Sequence, residues 1–86
     1  MYQILLTKQA IKDRRLIAQA GLEVRTKALL AVLARDPFQS PPPYEKLVGD
    51  LAGFYSRRIN IQHRLVYSID QEKRIVKILR MWTHYE

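Results

Sequence analysis

From Gly53 to Ile69 the chain reads GFYSRRINIQHRLVYSI, and four side chains able to carry positive charge, Arg57, Arg58, His63 and Arg64, fall within eight of those residues. A strand pair that only closes a core needs none of them. The stretch is either a solvated sheet face or a surface that holds phosphate. Upstream stands Glu45, and downstream the sequence reads His84-Tyr85 before Glu86. A carboxylate, an imidazole and one or two guanidinium groups are the parts of a metal-free RNA cleavage. In that reaction the 2′-hydroxyl attacks the neighbouring phosphorus and a base takes its proton. An acid protonates the departing 5′-oxygen, and cations stabilise the extra charge on the phosphoryl oxygens. Histidine suits the acid, because its reference pKa lies near ~6.5. DNA lacks the 2′-hydroxyl, so such a site is RNA-specific by mechanism.

Residue types alone leave other readings open. Glu45 also reads as a solvated loop acid and Arg64 as a sheet-face charge paired with an acid. His84 and Tyr85 read as a frayed terminus, and Tyr67 and Trp82 as core. Arg57 and Arg58 have opposite parity in a strand, so they have different jobs, and Arg58 is the one that matches the Arg64 face.

Composition narrows the classes. Lys and Arg total 15 against 8 acids, a net charge of +7, and nine of the fifteen are arginine. The sequence pI is about 10.1. Arginine grips phosphate bidentately where lysine is a point charge. The balance fits a nucleic-acid footprint, and it equally fits an acidic protein partner. There is no cysteine, so disulfides, thiol nucleophiles and Cys-ligated metals are excluded. His63 and His84 have no i,i+4 partner, and no metal or other cofactor is expected. The sequence shows no apolar run of membrane-span length and no signal peptide, so a cytoplasmic protein without membrane contact is expected.

The elements that must position these groups follow from period and punctuation. Residues 2–7 form a short apolar strand, and Thr7 caps a helix over 8–20 with Ile11, Ile17 and Ala18 as its apolar face. Gly21 breaks it. A second helix over 22–35 carries Leu22, Leu29, Val32 and Leu33 at helical spacing and ends at Asp36-Pro37. A long proline-rich connection follows, of the kind that is usually functional in a small domain. After Gly53 the period becomes two: FYSRRIN and HRLVYSI are strands, residues 70–73 a turn, and RIVKILRMWT a central last strand. The expected architecture is α+β in the order β-α-α-β-β-β. Two N-terminal helices pack on one face of a small, mainly antiparallel twisted sheet, within a single domain over residues 1–86. Parity puts Arg58, Arg64 and His84 on one side if the strand register allows it.

The segment YEKLVGDLAGFYSRRINIQHRLVYSI followed by HY resembles the YoeB/Txe branch of the RelE-like toxins of bacterial toxin–antitoxin systems. Glu45, Leu47, Leu51, Gly53, Tyr55, Ser56, Arg57, Arg58, Ile59, His63, Arg64, Leu65, Val66, Tyr67, His84 and Tyr85 stand where that branch has its motif. The resemblance implies the RelE-like fold and a ribosome-dependent endoribonuclease that cuts mRNA in the A site without a metal, inhibiting translation. It implies Glu45 as general base, His84 as general acid, Arg64 as the arginine that stabilises the transition state and Tyr85 as the tyrosine that positions substrate. Arg58 would contact phosphate. Beside what the resemblance implies, Lys46 is expected as a further RNA contact, and Arg57 and His63 are expected to serve structure or RNA contacts. The implied partners are a YefM-like antitoxin, the ribosome with its mRNA, operator DNA through the antitoxin complex, and a second copy of the chain.

The chain departs from the branch where Val48 replaces a lysine, which Lys46 is two residues too early to replace. Tyr55 stands in place of the commoner tryptophan, and Glu86 extends past the HY pair. Two other readings remain beside the enzyme. One is a degenerate toxin that binds the ribosome or RNA without cutting. The other is a protein-interaction module acting mainly in antitoxin-mediated autorepression.

Overall fold

The structure, a computed structural model, describes residues 1–82 of the 86. The order is β1 (Gln3–Leu6), α1 (Lys8–Gln19), α2 (Glu23–Arg35), β2 (Glu45–Lys46), a 3-10 turn (Gly49–Leu51), β3 (Tyr55–Arg58), β4 (Arg64–Asp70) and β5 (Ile75–Arg80). The strands form one sheet in the order β1-β5-β4-β3-β2. Among the described residues, only β1 and β5 pair in parallel. The expected architecture stands, with one strand more than sequence reading provides.

The Thr7 side chain accepts from the Ala10 N–H and starts α1, and its hydroxyl donates to the Leu79 carbonyl, tying that start to β5. The buried face of α1 is Ala10, Asp13 and Ile17. The expected face differs: Ile11 and Ala18 are exposed, and a charged residue lies in the buried stripe. Leu33 of α2 packs with Ile17 against Leu65, Tyr67, Val76 and Ile78 of the sheet. Burying each such aliphatic side chain stabilises by roughly 1.5–3 kcal/mol.

Period two then sorts the sheet. Leu65, Tyr67 and Ile69 of β4 share the helix-covered face, and so do the residues opposite them on β3, Tyr55 and Arg57. Ser56 and Arg58 of β3, with Val66 and Arg64 of β4, belong to the other face. A register shift at Val66/Tyr67 lets Arg80 oppose Val66. The chain turns from β2 into β3 through Gly53 at φ 94, a conformation that a side chain would strain.

The proline-rich connection is fastened rather than loose. Phe38, Tyr44 and Tyr55 meet edge to face, with ring centroids 5.9–6.5 Å apart. Tyr55 stacks on Tyr67. This aromatic cluster lays the connection along β3 and delivers the chain to β2.

Candidate active site

β2 is two residues long, and its register sets the site. Glu45 pairs with Ser56, and Arg58 pairs with Arg64. Directly opposed residues point to one face, so Glu45, Ser56, Arg58 and Arg64 gather there. The Arg64 Nη1 lies 3.3 Å from the Glu45 Oε2 and donates to the Ser56 Oγ at 3.2 Å. The Arg64 side chain is 9% exposed and that of Glu45 is 61%. The guanidinium is therefore held by the sheet while the carboxylate reaches solvent. Arg58 is exposed and stands directly across from Arg64. Two guanidinium side chains opposed on one face repel unless an anion lies between them. Arg58 also borders a groove of about 320 Å³ formed with Arg25, Ala28, Leu29, Val32, Pro42 and Ile59.

Three of the expected RNA contacts sit elsewhere. Arg57 is 1% exposed, on the helix-covered face. Its Nε donates to the Tyr67 Oη at 3.0 Å, and its Nη2 donates to the carbonyls of Pro37 (2.9 Å) and Gln39 (2.8 Å). Its Nη1 donates to the Pro42 carbonyl, and the guanidinium carbon lies 4.9 Å from the Tyr44 ring centroid. Arg57 is a buried clasp on the proline-rich connection, with no surface left for RNA. Burial pushes the Tyr67 phenol above its ordinary pKa, against the opposing pull of Arg57. His63 is also buried, its ring stacked on Trp82 with centroids 3.7 Å apart. That packing gives it a structural place instead of a surface one. Lys46 is exposed but opposes Tyr55, so strand alternation turns it away from the face of Glu45 and Arg64. Val48 is 84% exposed, on the turn between β2 and β3. His84 and Tyr85 lie outside the described residues.

Asp13 is the residue that sequence reading missed. It is 1% exposed, and its Oδ2 accepts from Arg80 Nε (2.8 Å), the Met81 N–H (3.0 Å) and the Trp82 N–H (3.2 Å). Its Oδ1 accepts from Gln9 Nε2 at 3.0 Å. Burial alone would raise the carboxyl; the bonds from Arg80, Met81, Gln9 and Trp82 outweigh it and hold the pKa below its ordinary value.

The family model described as the YoeB-like toxin of bacterial type II toxin–antitoxin systems matches residues 6–85. The chain belongs to the YoeB-like toxin family. A Toxin YoeB of Synechocystis is 40% identical over 74 residues, 86% of this chain and 77% of that one. A Toxin YoeB of Streptomyces coelicolor is 44% identical over 52 residues, which cover 60% of this chain and 62% of that relative. The toxin in a heterotetrameric YoeB-YefM toxin–antitoxin complex from Staphylococcus aureus superposes with a TM-score of 0.81 at 33% identity, covering 99% of both chains. A YoeB dimer from the same organism is also similar, with a TM-score of 0.81.

Within this YoeB-like chain, the family motif divides by strand parity. Arg58 and Arg64 share the face of Glu45, Arg58 exposed and Arg64 buried, while Arg57, one residue from Arg58, is built into the fold.

Proposed function

We propose that this YoeB-like toxin is a ribosome-dependent mRNA endoribonuclease that cuts in the A site. The contact between Glu45 and Arg64 carries the reading: a solvent-reaching carboxylate beside a guanidinium clamped in the sheet. In the reaction the Glu45 carboxylate removes the 2′-hydroxyl proton. The 2′-oxygen bonds to the adjacent phosphorus and the bond to the 5′-oxygen breaks, leaving a 2′,3′-cyclic phosphate. His84 gives its proton to the departing 5′-oxygen. Arg64 and Arg58 stabilise the charge on the phosphoryl oxygens, and Tyr85 positions the substrate. Acid, base and cations suffice, so the step calls for no metal.

The same reading assigns a YefM-like antitoxin as the neutralising partner, supported by the likeness to the toxin of the Staphylococcus aureus complex. It assigns a homodimer as a second assembly, supported by the similar YoeB dimer. Operator DNA is reached only through the antitoxin complex. No helix among the described residues is long and apolar enough to cross a membrane, in keeping with action on ribosomes in the cytoplasm.

The test is a programmed ribosome carrying an mRNA with a single 2′-deoxynucleotide at the cut position. Cleavage of the all-ribose mRNA, with loss of that cut in the deoxy substrate, supports the reading. Arrested translation with both mRNAs intact would make the chain a ribosome binder without chemistry.

A further inference from the structure

We infer that the groove beside Arg58 is a base subsite: it takes the nucleobase that follows the cut phosphate, on an apolar floor between Arg25 and Arg58. The inference rests on the nuclease reading and adds where the substrate strand goes next. Arg25, Ala28, Leu29 and Val32 stand at helical spacing and turn one face of α2 to the groove. Pro42 of the proline-rich connection and Ile59, one residue past β3, close it from the other side. Its volume of about 320 Å³ is at the small end of the roughly 300–1,000 Å³ of small-molecule sites. That suits one flat group. Two cations flank the floor. Arg57, Arg64 and Arg80 are bonded into the fold. The Arg25 and Arg58 side chains are exposed instead, with no hydrogen-bond or ion-pair partner among the described residues. The one acid of α2, Glu23, pairs with Lys27 at 3.2 Å and leaves Arg25 uncompensated.

An apolar floor between two free guanidinium groups fits an occupant that is flat in the middle and anionic at its ends. A nucleotide within a strand has that form. Its base stacks on apolar side chains and guanidinium planes, and a phosphate lies on either side. Continuity with the candidate site selects RNA over an acidic protein segment. Arg58 borders the groove, and it also opposes Arg64 on the face of Glu45. Glu45 opposes Ser56, which lies two residues back along β3, roughly 6–7 Å from Arg58. In the proposed reaction the 2′-hydroxyl lies at Glu45 and the phosphate at Arg64 and Arg58. A strand laid down in that order continues past Arg58, where the groove opens. The base after the cut then rests on Leu29, Val32 and Pro42, and Arg25 meets the next phosphate.

The experiment uses the full chain with Arg25→Ala and Ala28→Phe. The first removes an exposed cation, and the second fills the groove from an exposed helix position. On programmed ribosomes, cleavage at subsaturating toxin is compared on a complete mRNA and on one with an abasic ribose directly after the cut. Wild type is expected to lose about 10–100-fold in kcat/KM on the abasic mRNA, the usual worth of one stacked base. Ala28→Phe is expected to lose as much on the complete mRNA and little further on the abasic one, because base and groove are two halves of one contact. Arg25→Ala is expected to cut more slowly, with a shallower salt dependence. Equal cleavage of both mRNAs by wild type overturns the inference. So does a wild-type rate and salt slope in Arg25→Ala. The free protein provides a readout independent of cleavage. A 2′-deoxy dinucleotide, which this chemistry does not cut, is titrated while the methyl signals of Leu29, Val32 and Ile59 are followed by NMR. Orthophosphate and a glutamate-rich peptide are separate arms. Saturable shifts with the dinucleotide, absent with orthophosphate and weakened in Arg25→Ala, support the subsite even if wild type fails to cut, an outcome that would sink the nuclease reading alone. Shifts with the peptide and none with the dinucleotide overturn the inference and make the groove a docking site for an acidic protein. Unshifted methyl signals in every arm overturn it as well.

Discussion

The Glu45 carboxylate lies 3.3 Å from the Arg64 guanidinium, although 19 residues separate them in the chain. Two backbone pairings bring them together. β2 sets Glu45 against Ser56, and β4 sets Arg64 against Arg58 on the same strand as Ser56. Arg64 then bonds to both Glu45 and Ser56 from a buried position. In the proposed reaction, holding both groups on strands rather than on a loop would fix base and cation relative to one phosphate.

Glu45→Gln is expected to lower the cleavage rate by about 10²–10⁴-fold, the usual worth of a positioned base. The side chain reaches solvent, so the thermal midpoint is expected to stay near that of wild type. Paired cleavage and melting curves check both halves.

Arg58→Ala is expected to weaken cleavage without destabilising the fold, because Arg58 is exposed. Binding of an RNA oligonucleotide, measured across a salt series, is expected to show a shallower slope in the variant, as one phosphate contact is lost.

Arg57 is expected to behave in the opposite way. Arg57→Ala leaves the carbonyls of Pro37, Gln39 and Pro42 without their donor. The expected loss is about 3 kcal/mol or more, since each buried polar group left unpaired costs roughly 1–3 kcal/mol. Arg57→Lys keeps the charge but not the planar fork, and is expected to recover only part of it. Urea unfolding midpoints measure both.

Acid stability depends on Asp13. Its carboxyl is held below the ordinary value of 3.8 in the folded chain. The ionised form is therefore favoured by folding, and its contribution is fully present above 3.8. It is lost as pH falls through the lower folded value. The gap in thermal midpoint between wild type and Asp13→Asn is expected to be constant at neutral pH and to close on acidification below that point.

How much of this could be read from sequence depended on how local the signal was. Thr7, Gly21 and Asp36-Pro37 punctuate both helices, and α1 and α2 lie within one residue of their expected bounds. The opposite parity of Arg57 and Arg58 was legible, and their division of labour follows it. The burial of Arg57 was not, because arginine is ordinarily a surface residue and the carbonyls that satisfy it come from 15 to 20 residues away. β2 left no trace, since two residues inside a proline-rich connection show no period. Asp13 stands among Lys12, Arg14 and Arg15, where nothing local marks a buried position, and its partners in residues 80–82 lie 67–69 residues downstream. The register that joins Glu45 to Arg64 is likewise a long-range property that composition does not encode.

The most direct test of the account is a translation reaction on a defined mRNA, with new 5′ ends mapped by primer extension for wild type, Glu45→Ala, Arg64→Ala and His84→Ala. Cuts in A-site codons are expected with wild type and are expected to fade in all three variants. Cuts of undiminished strength in Glu45→Ala and Arg64→Ala would contradict it, because the pair joined across β2, β3 and β4 would then not be the catalytic centre.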